Sequence, residues 1–512
     1  MITDNLPARL ATPTTAPLVT RLAEAFAREE ILYSHWKSNI ALAQATSGET
    51  DLDLLVDRKA LPQAVAILSA LGFKAATVRW GDNPPGIRHY YGHDPDHGRL
   101  IHVHLFSTVL TGESYVKSHR LPFEEMLLEN VYYSDQIRVA SKPAELLLFT
   151  MRTFIKYGSL LDLLNLWKKQ AALRRELQWL QDGGDLSKTL SFVETYCPVV
   201  DERLFVECVD TLGSDTSLLR RILLAKRVRR RLGVYARYSA FQRLVAYGRM
   251  LWAEGQRRLG GKRKNKVLQA GGAVIAFVGA EATGKSTLVT ESGRWLGSAF
   301  AVRSVHAGKP PPTWLTAPFS LLLPLLRRGL SSLRSSRLEG HVRPSRANSS
   351  PGKSERLASL AYALRAVILA WERRQLLVRA GRAAANGEIV ICDRYPSEIV
   401  GMMDSPRLRE RHSRRGFDPL IFNWLARLEQ RLYRQIPPPD IVLRLNVSIE
   451  TAQERNRERF KPGKESEAYV ASRHRQFRQW RKSGTKSIYE IDTEQSLPET
   501  ILCVKKAIWE SL

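Results

Sequence analysis

The sequence predicts an α/β protein, with a parallel sheet in its C-terminal half and a small α/β domain followed by a helical segment in its N-terminal half. Three observations predict this. Short apolar runs alternate with stretches of helical periodicity in both halves, which is typical of sheets covered by helices. The segment between the halves has helical spacing almost throughout. The length of 512 residues exceeds the usual size of one core, so two or three domains are expected.

The N-terminal half is expected to hold an α/β domain at residues 15–140 and a helical domain with a basic linker at 141–268. Apolar spacing in the first predicts helices at 18–31 and 61–71 and strands at 51–56 and 100–106. Between Lys226 and Lys266 the sequence has fourteen lysines and arginines against one acid, Glu254. Apolar residues in this stretch favour a linker helix with one packed side over a nucleic-acid-binding arm. These residues are Leu244, Val245, Leu251 and Trp252.

The C-terminal domain is expected at residues 269–512, with alternating strands and helices. This alternation predicts a parallel sheet with both faces covered. Residues 327–354 are rich in Ser, Arg, Gly and Pro, and a mobile loop is expected there. The predicted strands are 273–278, 301–306, 388–392, 441–445 and 487–491. The predicted helices are one after the first strand, one at the C-terminus, and 355–385, 449–459 and 465–482.

The composition indicates what the protein attracts and where it resides. A net charge of +27 attracts anions, whether nucleotides, nucleic acid or an anionic membrane surface. Four widely spaced cysteines without a C-x-x-C pattern argue against a zinc site or a disulfide framework and favour the reducing cytoplasm. The N-terminus lacks signal-peptide features, and the apolar stretch 315–326 is too short to span a membrane. A homo-oligomer is compatible with these observations.

Residues Gly279–Ser286 match the phosphate-binding pattern G-x-x-x-x-G-K-[ST] and follow an apolar run directly. In such a strand–loop–helix arrangement, backbone N–H groups converge on phosphate oxygens and the helix N-terminus adds partial positive charge. The pattern predicts a P-loop NTPase sheet that binds ATP and Mg²⁺. Lys285 would reach the β- and γ-phosphates without core contacts, and Ser286 would ligate Mg²⁺. The expected nucleotide-binding residues are Gly279, Ala280, Glu281, Ala282, Thr283, Gly284, Lys285, Ser286 and Thr287.

A second set of patterns follows the strand predicted at 388–392, and it resembles the thymidylate kinase family over residues 272–512. The segments that carry the resemblance are Asp393-Arg394-Tyr395, which fits the signature D-R-[YFH], then Pro439–Leu445, Glu450, Ala452, Arg455 and Tyr489–Asp492. The resemblance implies a kinase that passes the γ-phosphoryl group of ATP to a nucleotide acceptor, with dTMP among the candidates. It implies that Asp393 holds Mg²⁺ or an acceptor oxygen and that Arg394 binds the acceptor phosphate.

Basic residues crowd the stretch near residue 460, which resembles the lid of the same family. Lid arginines would neutralise charge on the transferred group, with Arg455 and Arg459 as catalytic candidates; a solvated basic helix end is the alternative. Arg365 aligns loosely with an acceptor-binding arginine of the family. The segment 305–310 departs from the family's R-E-P, so another nucleotide or a non-nucleotide hydroxyl stays open as the acceptor. The cluster comprises Arg455, Arg457, Arg459, Lys461 and Lys464.

Asp51 and Asp53 lie two residues apart on a predicted strand, so both side chains share one face and could hold a divalent cation. The segments 35–39 and 48–56 resemble a nucleotidyltransferase group with a polymerase-β-like core. That core needs a third carboxylate where this sequence has histidines, so an active transferase and a binding-only domain both stay open. The nearby histidines fit ordinary turn and strand chemistry better than a metal site. They are His93, His97, His102 and His104.

The sequence therefore favours an ATP-dependent phosphotransferase fused to a nucleotidyltransferase-like domain. Two alternatives stay open. One is a nucleic-acid-associated NTPase that uses the excess positive charge, although no nucleic-acid-binding motif is recognisable. The other is a nucleotidyltransferase that the P-loop domain regulates.

Overall fold

The computed structural model describes residues 14–79, 84–113, 116–157, 168–259, 266–311, 353–410, 417–458 and 465–512. The chain divides into two units, Met1–Gln269 and Ala270–Leu512. Each unit is α/β, as the alternating periodicity predicts. The finer separation of residues 15–140 from 141–268 stays a prediction.

The first unit contains one large sheet and one short strand pair. Its strands are β1 (Tyr33–His35), β2 (Leu52–Val56), β3 (Lys74–Val78), β4 (Ile87–Asp94), β5 (Arg99–Phe106), β6 (Leu110–Thr111), β7 (His119–Arg120), β8 (Val131–Ser134), β9 (Ile137–Ala140) and β10 (Lys266–Leu268). Eight of them form a mixed sheet in the order β10-β3-β4-β5-β2-β1-β9-β8, and β6 pairs with β7. The strands predicted at 51–56 and 100–106 are confirmed as β2 and β5, which pair in parallel.

Strand β10 joins the end of the basic stretch to the first sheet. It pairs antiparallel with β3, with Val267 opposite Thr77. The backbone N–H of Gln269 extends the contact by donating to the carbonyl of Ala75 at 2.9 Å. The last residues of the predicted linker are therefore an edge strand of the first unit.

The helices of the first unit are α1 (Pro17–Arg28), α2 (Leu42–Thr46), α3 (Leu61–Ala70), α4 (Glu124–Glu129), α5 (Lys142–Tyr157), α6 (Gln170–Gln181), α7 (Leu186–Tyr196), α8 (Glu202–Gly213), α9 (Leu218–Arg231) and α10 (Ala240–Leu259). Helix α5 is buried around most of its circumference, so it is the centre of the helical part. Asp185, Asp201 and Ser217 begin α7, α8 and α9 because each side chain accepts a hydrogen bond from a first-turn N–H.

Helix α10 corrects the prediction that the basic helix has one packed side. Leu244 is 68% exposed, Val245 37%, Leu251 56% and Trp252 71%. Helical periodicity reports that a helix is amphipathic, but it carries no information about what lies against the apolar face. The inference from spacing to packing was therefore wrong.

The second unit is built on five parallel strands. They are β11 (Val274–Gly279), β12 (Val302–His306), β13 (Ile389–Asp393), β14 (Ile441–Asn446) and β15 (Ser487–Asp492), in the order β12-β13-β11-β14-β15. All five predicted strands are confirmed to within a residue or two. Strand β11 is central and buried at every position. Because the chain places its next two strands on one side of β11 and its last two on the other, a crevice is expected at the carboxyl end of β11.

The helices of the second unit are α11 (Lys285–Gly297), α12 (Lys353–Ala385), α13 (Phe417–Arg434), α14 (Ile449–Glu458), α15 (Glu467–Phe477) and α16 (Leu497–Ser511). The sequence reading missed α13 and extended α15 beyond its end. Helix α16 starts with a capping box between Ser496 and Glu499. A mobile loop was expected at 327–354. Residues 327–352 lie outside the described residues, and residues 353 and 354 are the first two of α12.

Within the described ranges, the helices are too short or too polar for any of them to cross a lipid bilayer. The apolar stretch 315–326, which the sequence reading also judged unable to span a membrane, lies outside those ranges.

Candidate functional site

The loop between β11 and α11 has two residues in the left-handed region of backbone space. Ala282 has a φ of +63° and Gly284, the residue before α11, has a φ of +80°. Glycine adopts this conformation without strain and offers no side chain to cap the helix. The first turn of α11 thus keeps N–H groups for an external acceptor, as an anion-binding helix N-terminus requires.

The loop is packed tightly from within. Ala280, Ala282 and Thr283 are buried, and the Thr283 hydroxyl donates to the Ala280 carbonyl at 3.1 Å. A Cβ atom on Gly279 would lie 2.5 Å from the Thr283 Oγ1 and 3.2 Å from the Leu445 Cβ. Only glycine therefore fits at position 279 without displacing its neighbours.

The Lys285 side chain is buried inside this loop. Its ammonium donates to the carbonyl of Gly279 at 3.0 Å, to the carbonyl of Ala280, and to the Thr283 hydroxyl at 3.2 Å. The expectation that Lys285 makes no core contacts was wrong, because the lysine turns back onto its own loop. The next two residues, Ser286 and Thr287, are exposed on the first turn of α11.

Asp393 ends β13, the strand beside β11. It lies opposite Phe277 of β11 and opposite His306 of β12 in the sheet register. Its Oδ2 is 3.5 Å from the Nδ1 of His306, while its Oδ1 is buried with no hydrogen-bond partner among the described residues. Leaving a carboxylate oxygen unpaired and buried is costly, so this atom suits a cation or a ligand donor.

Arg394 follows directly, and its backbone has a φ of +74°, which is rare for a residue other than glycine. Its guanidinium contacts the Asp404 Oδ2 at 3.3 Å and the Met403 sulfur at 2.9 Å. Burial by itself lowers the pKa of Arg394, but the carboxylates of Asp404 and Glu281 outweigh it and raise the pKa above its ordinary value. The guanidinium is therefore held charged at the edge of the cleft described below.

Arg373 of α12 is a residue of this site that the sequence reading missed. Its side chain is fully buried and donates to the carbonyls of Ala307 and Gly308, to the Tyr433 hydroxyl and to Asp404. One signal in the sequence could have found it. Arg373 lies three residues after Ala370 and four before Leu377, on the apolar stripe of α12, where an arginine needs a buried partner.

A cleft open to solvent lies between the loop, Arg394 and helix α15. Its lining includes Gly279, Arg394, Asp404, Arg473 and Phe477. The guanidinium of Arg473 lies over the Tyr469 ring at 5.1 Å, and His474 of the same helix contacts the Glu281 carbonyl at 2.9 Å. Helix α15 is thus fixed against the loop, and the cleft combines guanidinium groups with an aromatic ring.

Two of the lid candidates, Arg455 and Arg457, are not among the residues that line the cleft, and the other three lie outside the described ranges. The Arg455 guanidinium donates to the Thr493 carbonyl at 2.7 Å, just beyond β15, and Arg457 is 3.8 Å from Glu467. Arg459, Lys461 and Lys464 lie outside the described residues. Arg365 is exposed on α12. The catalytic roles of Arg455 and Arg459 stay predictions.

In the first unit, the two aspartates are paired with basic side chains. Asp53 lies 2.9 Å from the Lys37 ammonium and 3.1 Å from His104, and Asp51 lies 2.6 Å from His102. Burial acts to raise the pKa of Asp53, but Lys37 and then His104 hold it well below its ordinary value. Both carboxylates therefore already have partners, and their metal-binding role stays a prediction.

Three histidines of this unit, His89, His102 and His104, lie in a stacked row. His89 stacks on His104 at 4.5 Å, Tyr91 stacks on His102 at 4.4 Å, and Lys266 of β10 donates to the Tyr91 hydroxyl at 2.9 Å. Burial lowers the pKa of His89 to about 2, which keeps its imidazole neutral. His97 pairs with Asp94 in the turn after β4. In the parts of the chain that the structure describes, no three His, Cys, Asp or Glu side chains are arranged to hold a metal ion.

No protein-family model matches this sequence, and no curated protein is significantly similar to it.

Proposed function

We propose that the second unit is an ATP-dependent phosphotransferase of the P-loop type, similar to thymidylate kinases. It would transfer the γ-phosphoryl group of ATP to a nucleotide acceptor, dTMP or another nucleoside monophosphate. The observation that carries the proposal is the loop of residues 279–286, which is packed from within, holds the Lys285 ammonium, and lies one strand away from Asp393. The reaction would take place in the cytoplasm, where ATP is available.

The triphosphate is proposed to bind along the loop. Phosphate oxygens would accept hydrogen bonds from the N–H groups of the first turn of α11. They would also replace the loop carbonyls as acceptors for the Lys285 ammonium. The exposed Ser286 hydroxyl and the unpaired Oδ1 of Asp393 are the oxygens suited to hold Mg²⁺ and its water shell. Bound Mg²⁺ would neutralise negative charge on the triphosphate.

The acceptor is proposed to bind in the cleft on the Arg394 side. Asp404 orients the Arg394 guanidinium, and Arg373 in turn holds Asp404. A guanidinium fixed in this way suits bidentate binding of a phosphate. Phe477 lines the cleft, with the Arg444 guanidinium 5.3 Å from its ring centroid, and we propose that its ring contacts the base of the acceptor. These two features together favour a phosphorylated nucleoside over a sugar as acceptor.

The residues of this chain would act by position and charge. Lys285 and Arg394 would stabilise negative charge that spreads over the transferred group. For the first unit, the pairing of Asp53 with Lys37 and His104 favours a binding-only domain over an active transferase.

The test uses full-length protein and ATP labelled at either the γ- or the α-phosphate. Nucleoside monophosphates and sugars are screened as acceptors, and γ-label is expected on a nucleoside monophosphate. Lys285→Met is expected to lower transfer by at least about a thousandfold, as loss of a main transition-state contact does. Lys506→Met, which removes an exposed lysine on α16, is the matched control and should keep full activity.

Three outcomes would contradict the proposal. Transfer of the α-label would assign catalysis to the first unit. ATP hydrolysis that needs no acceptor and is stimulated by polynucleotides would favour a nucleic-acid-associated NTPase. Retained transfer by Lys285→Met would remove the loop from the mechanism.

A further inference from the structure

Helix α10 exposes a stripe of large apolar side chains along most of its length. The spacing of i, i+3, i+4, i+10 and i+11 places five of them on one face of the helix. Exposure is high at both ends of the stripe, with Phe241 at 74% and Trp252 at 71%. Contiguous apolar surface of this kind marks a site where another surface binds. The five residues are Phe241, Leu244, Val245, Leu251 and Trp252.

The same helix is strongly basic. Its sequence has four arginines against one acid, Glu254, and the next five residues, 260–264, add three more basic residues. Arg249 is exposed one helical turn after Val245, at the border of the apolar stripe. Basic side chains beside an apolar stripe complement a surface that is both anionic and apolar.

The start of α10 is fixed to the body of the first unit. The backbone N–H of Arg237 donates to the Ser118 carbonyl at 2.8 Å, and its guanidinium donates to the Lys117 carbonyl at 2.9 Å. Ala236 forms a β-bridge with His119. The helix is therefore attached firmly at one end while its apolar face stays exposed.

We propose that α10 binds the surface of an anionic lipid bilayer. The helix would lie in the plane of the headgroups, with the stripe inserted at the level of the acyl chains and the arginines over acidic lipid phosphates. Trp, Phe and Leu opposite Arg are the side chains that such interfacial helices use. A bilayer matches both halves of the pattern, because it offers apolar depth and negative charge in one surface.

Two other occupants match only half of it. A polynucleotide would engage the arginines but would leave Phe241 and Trp252 in water. A second copy of this chain would cover the stripe, but it would bring a second basic helix and a second net charge of +27 against the first. The membrane proposal does not depend on the proposed phosphotransferase.

The test is sedimentation of the full-length protein with vesicles of phosphatidylcholine, with and without phosphatidylglycerol. Binding is expected to be at least about tenfold tighter to the anionic vesicles and to weaken as salt rises. The double variant Leu251→Glu/Trp252→Glu should weaken this binding at least about tenfold, and Arg249→Glu should weaken it only on anionic vesicles. Circular dichroism should match the parent protein, since all three side chains are exposed.

A matched control is Leu420→Glu/Trp424→Glu, which changes an equally exposed Leu–Trp pair on α13, 63% and 61% exposed. It should bind vesicles like the parent protein. The proposal fails if the parent ignores anionic vesicles or if both double variants bind equally. It also fails if Leu251→Glu/Trp252→Glu keeps vesicle binding while it loses polynucleotide binding, or while it turns a dimer into a monomer in sedimentation velocity.

Discussion

The carboxylate of Asp404 accepts a hydrogen bond of 2.7 Å from the fully buried guanidinium of Arg373. The other carboxylate oxygen of Asp404 contacts Arg394 at 3.3 Å. Asp404 therefore connects Arg373 of the long helix α12 to Arg394, the residue that follows Asp393. A buried ion pair of this kind is expensive to break, because removal of one partner leaves the other charge unpaired in the interior.

Asp404→Ala is accordingly expected to lower the free energy of unfolding by about 3–5 kcal/mol. Glu410→Ala is the control, because it breaks an exposed ion pair with Arg427, and its effect should stay within about 0.5 kcal/mol. Chemical denaturation followed by circular dichroism measures both. Equal effects of the two substitutions would show that Asp404 does not neutralise Arg373.

Gly279→Ala tests the packing of the phosphate-binding loop. The new methyl group would meet the Thr283 Oγ1 at 2.5 Å and the Leu445 Cβ at 3.2 Å, so about 1–3 kcal/mol of destabilisation is expected, together with loss of the thermal shift that ATP causes. Gly297→Ala at the end of α11 meets no atom within 4 Å and is expected to change stability by less than about 1 kcal/mol. An unchanged ATP shift in Gly279→Ala would mean that the loop does not bind the nucleotide.

Asp393→Asn tests the proposed magnesium ligand. Since the Oδ1 of Asp393 is buried without a hydrogen-bond partner among the described residues, its exchange for an amide should weaken the apparent affinity for Mg²⁺ at least about tenfold, while ATP binding without Mg²⁺ changes little. The control is Asp492→Asn, three strands away at the end of β15. Activity is measured as a function of Mg²⁺ at saturating ATP. An unaltered Mg²⁺ dependence in Asp393→Asn would overturn the assignment.

The sequence predicted the parts of the site that depend on local patterns. Gly279–Ser286 and Asp393 were found because each motif follows a buried strand, and five apolar runs located the parallel sheet. The partnership of Arg373 and Asp404 joins residues 31 positions apart and depends on how α12 packs, which no local pattern specifies. The same limit applies to α10. Its apolar spacing correctly predicted an amphipathic helix, but the prediction that one side of this helix is packed was wrong.

The short strands of the first unit show a second limit. Strands β1, β6 and β7 have two or three residues each, too few for an alternating pattern to stand out. Strand β10 follows the basic stretch, whose many charges led to the prediction of a linker. Its pairing with β3 was therefore not expected. Tertiary pairing, and not local propensity, determines these elements.

Glu145 of α5 provides a prediction on pH. Its Oε1 accepts a hydrogen bond from the backbone N–H of Asn39 at 3.0 Å and its Oε2 accepts one from the Asn39 side chain at 2.7 Å. Burial nevertheless dominates and raises the pKa of Glu145 from 4.5 to about 7. The folded protein thus binds a proton more tightly than the unfolded chain does. The resulting stabilisation is complete below pH 4.5 and is lost as the pH rises through 7.

Glu145→Gln is expected to remove this part of the pH dependence, which amounts to about 3 kcal/mol between pH 4.5 and 7. The amide cannot ionise, so the variant should lose less stability than the parent protein over this range. Unfolding temperatures measured at intervals of pH provide the comparison, with Glu125→Gln at an exposed position as the control. If the parent and Glu145→Gln lose stability in parallel as the pH rises, Glu145 is ionised in the folded protein at neutral pH and its hydrogen bonds to Asn39 outweigh its burial.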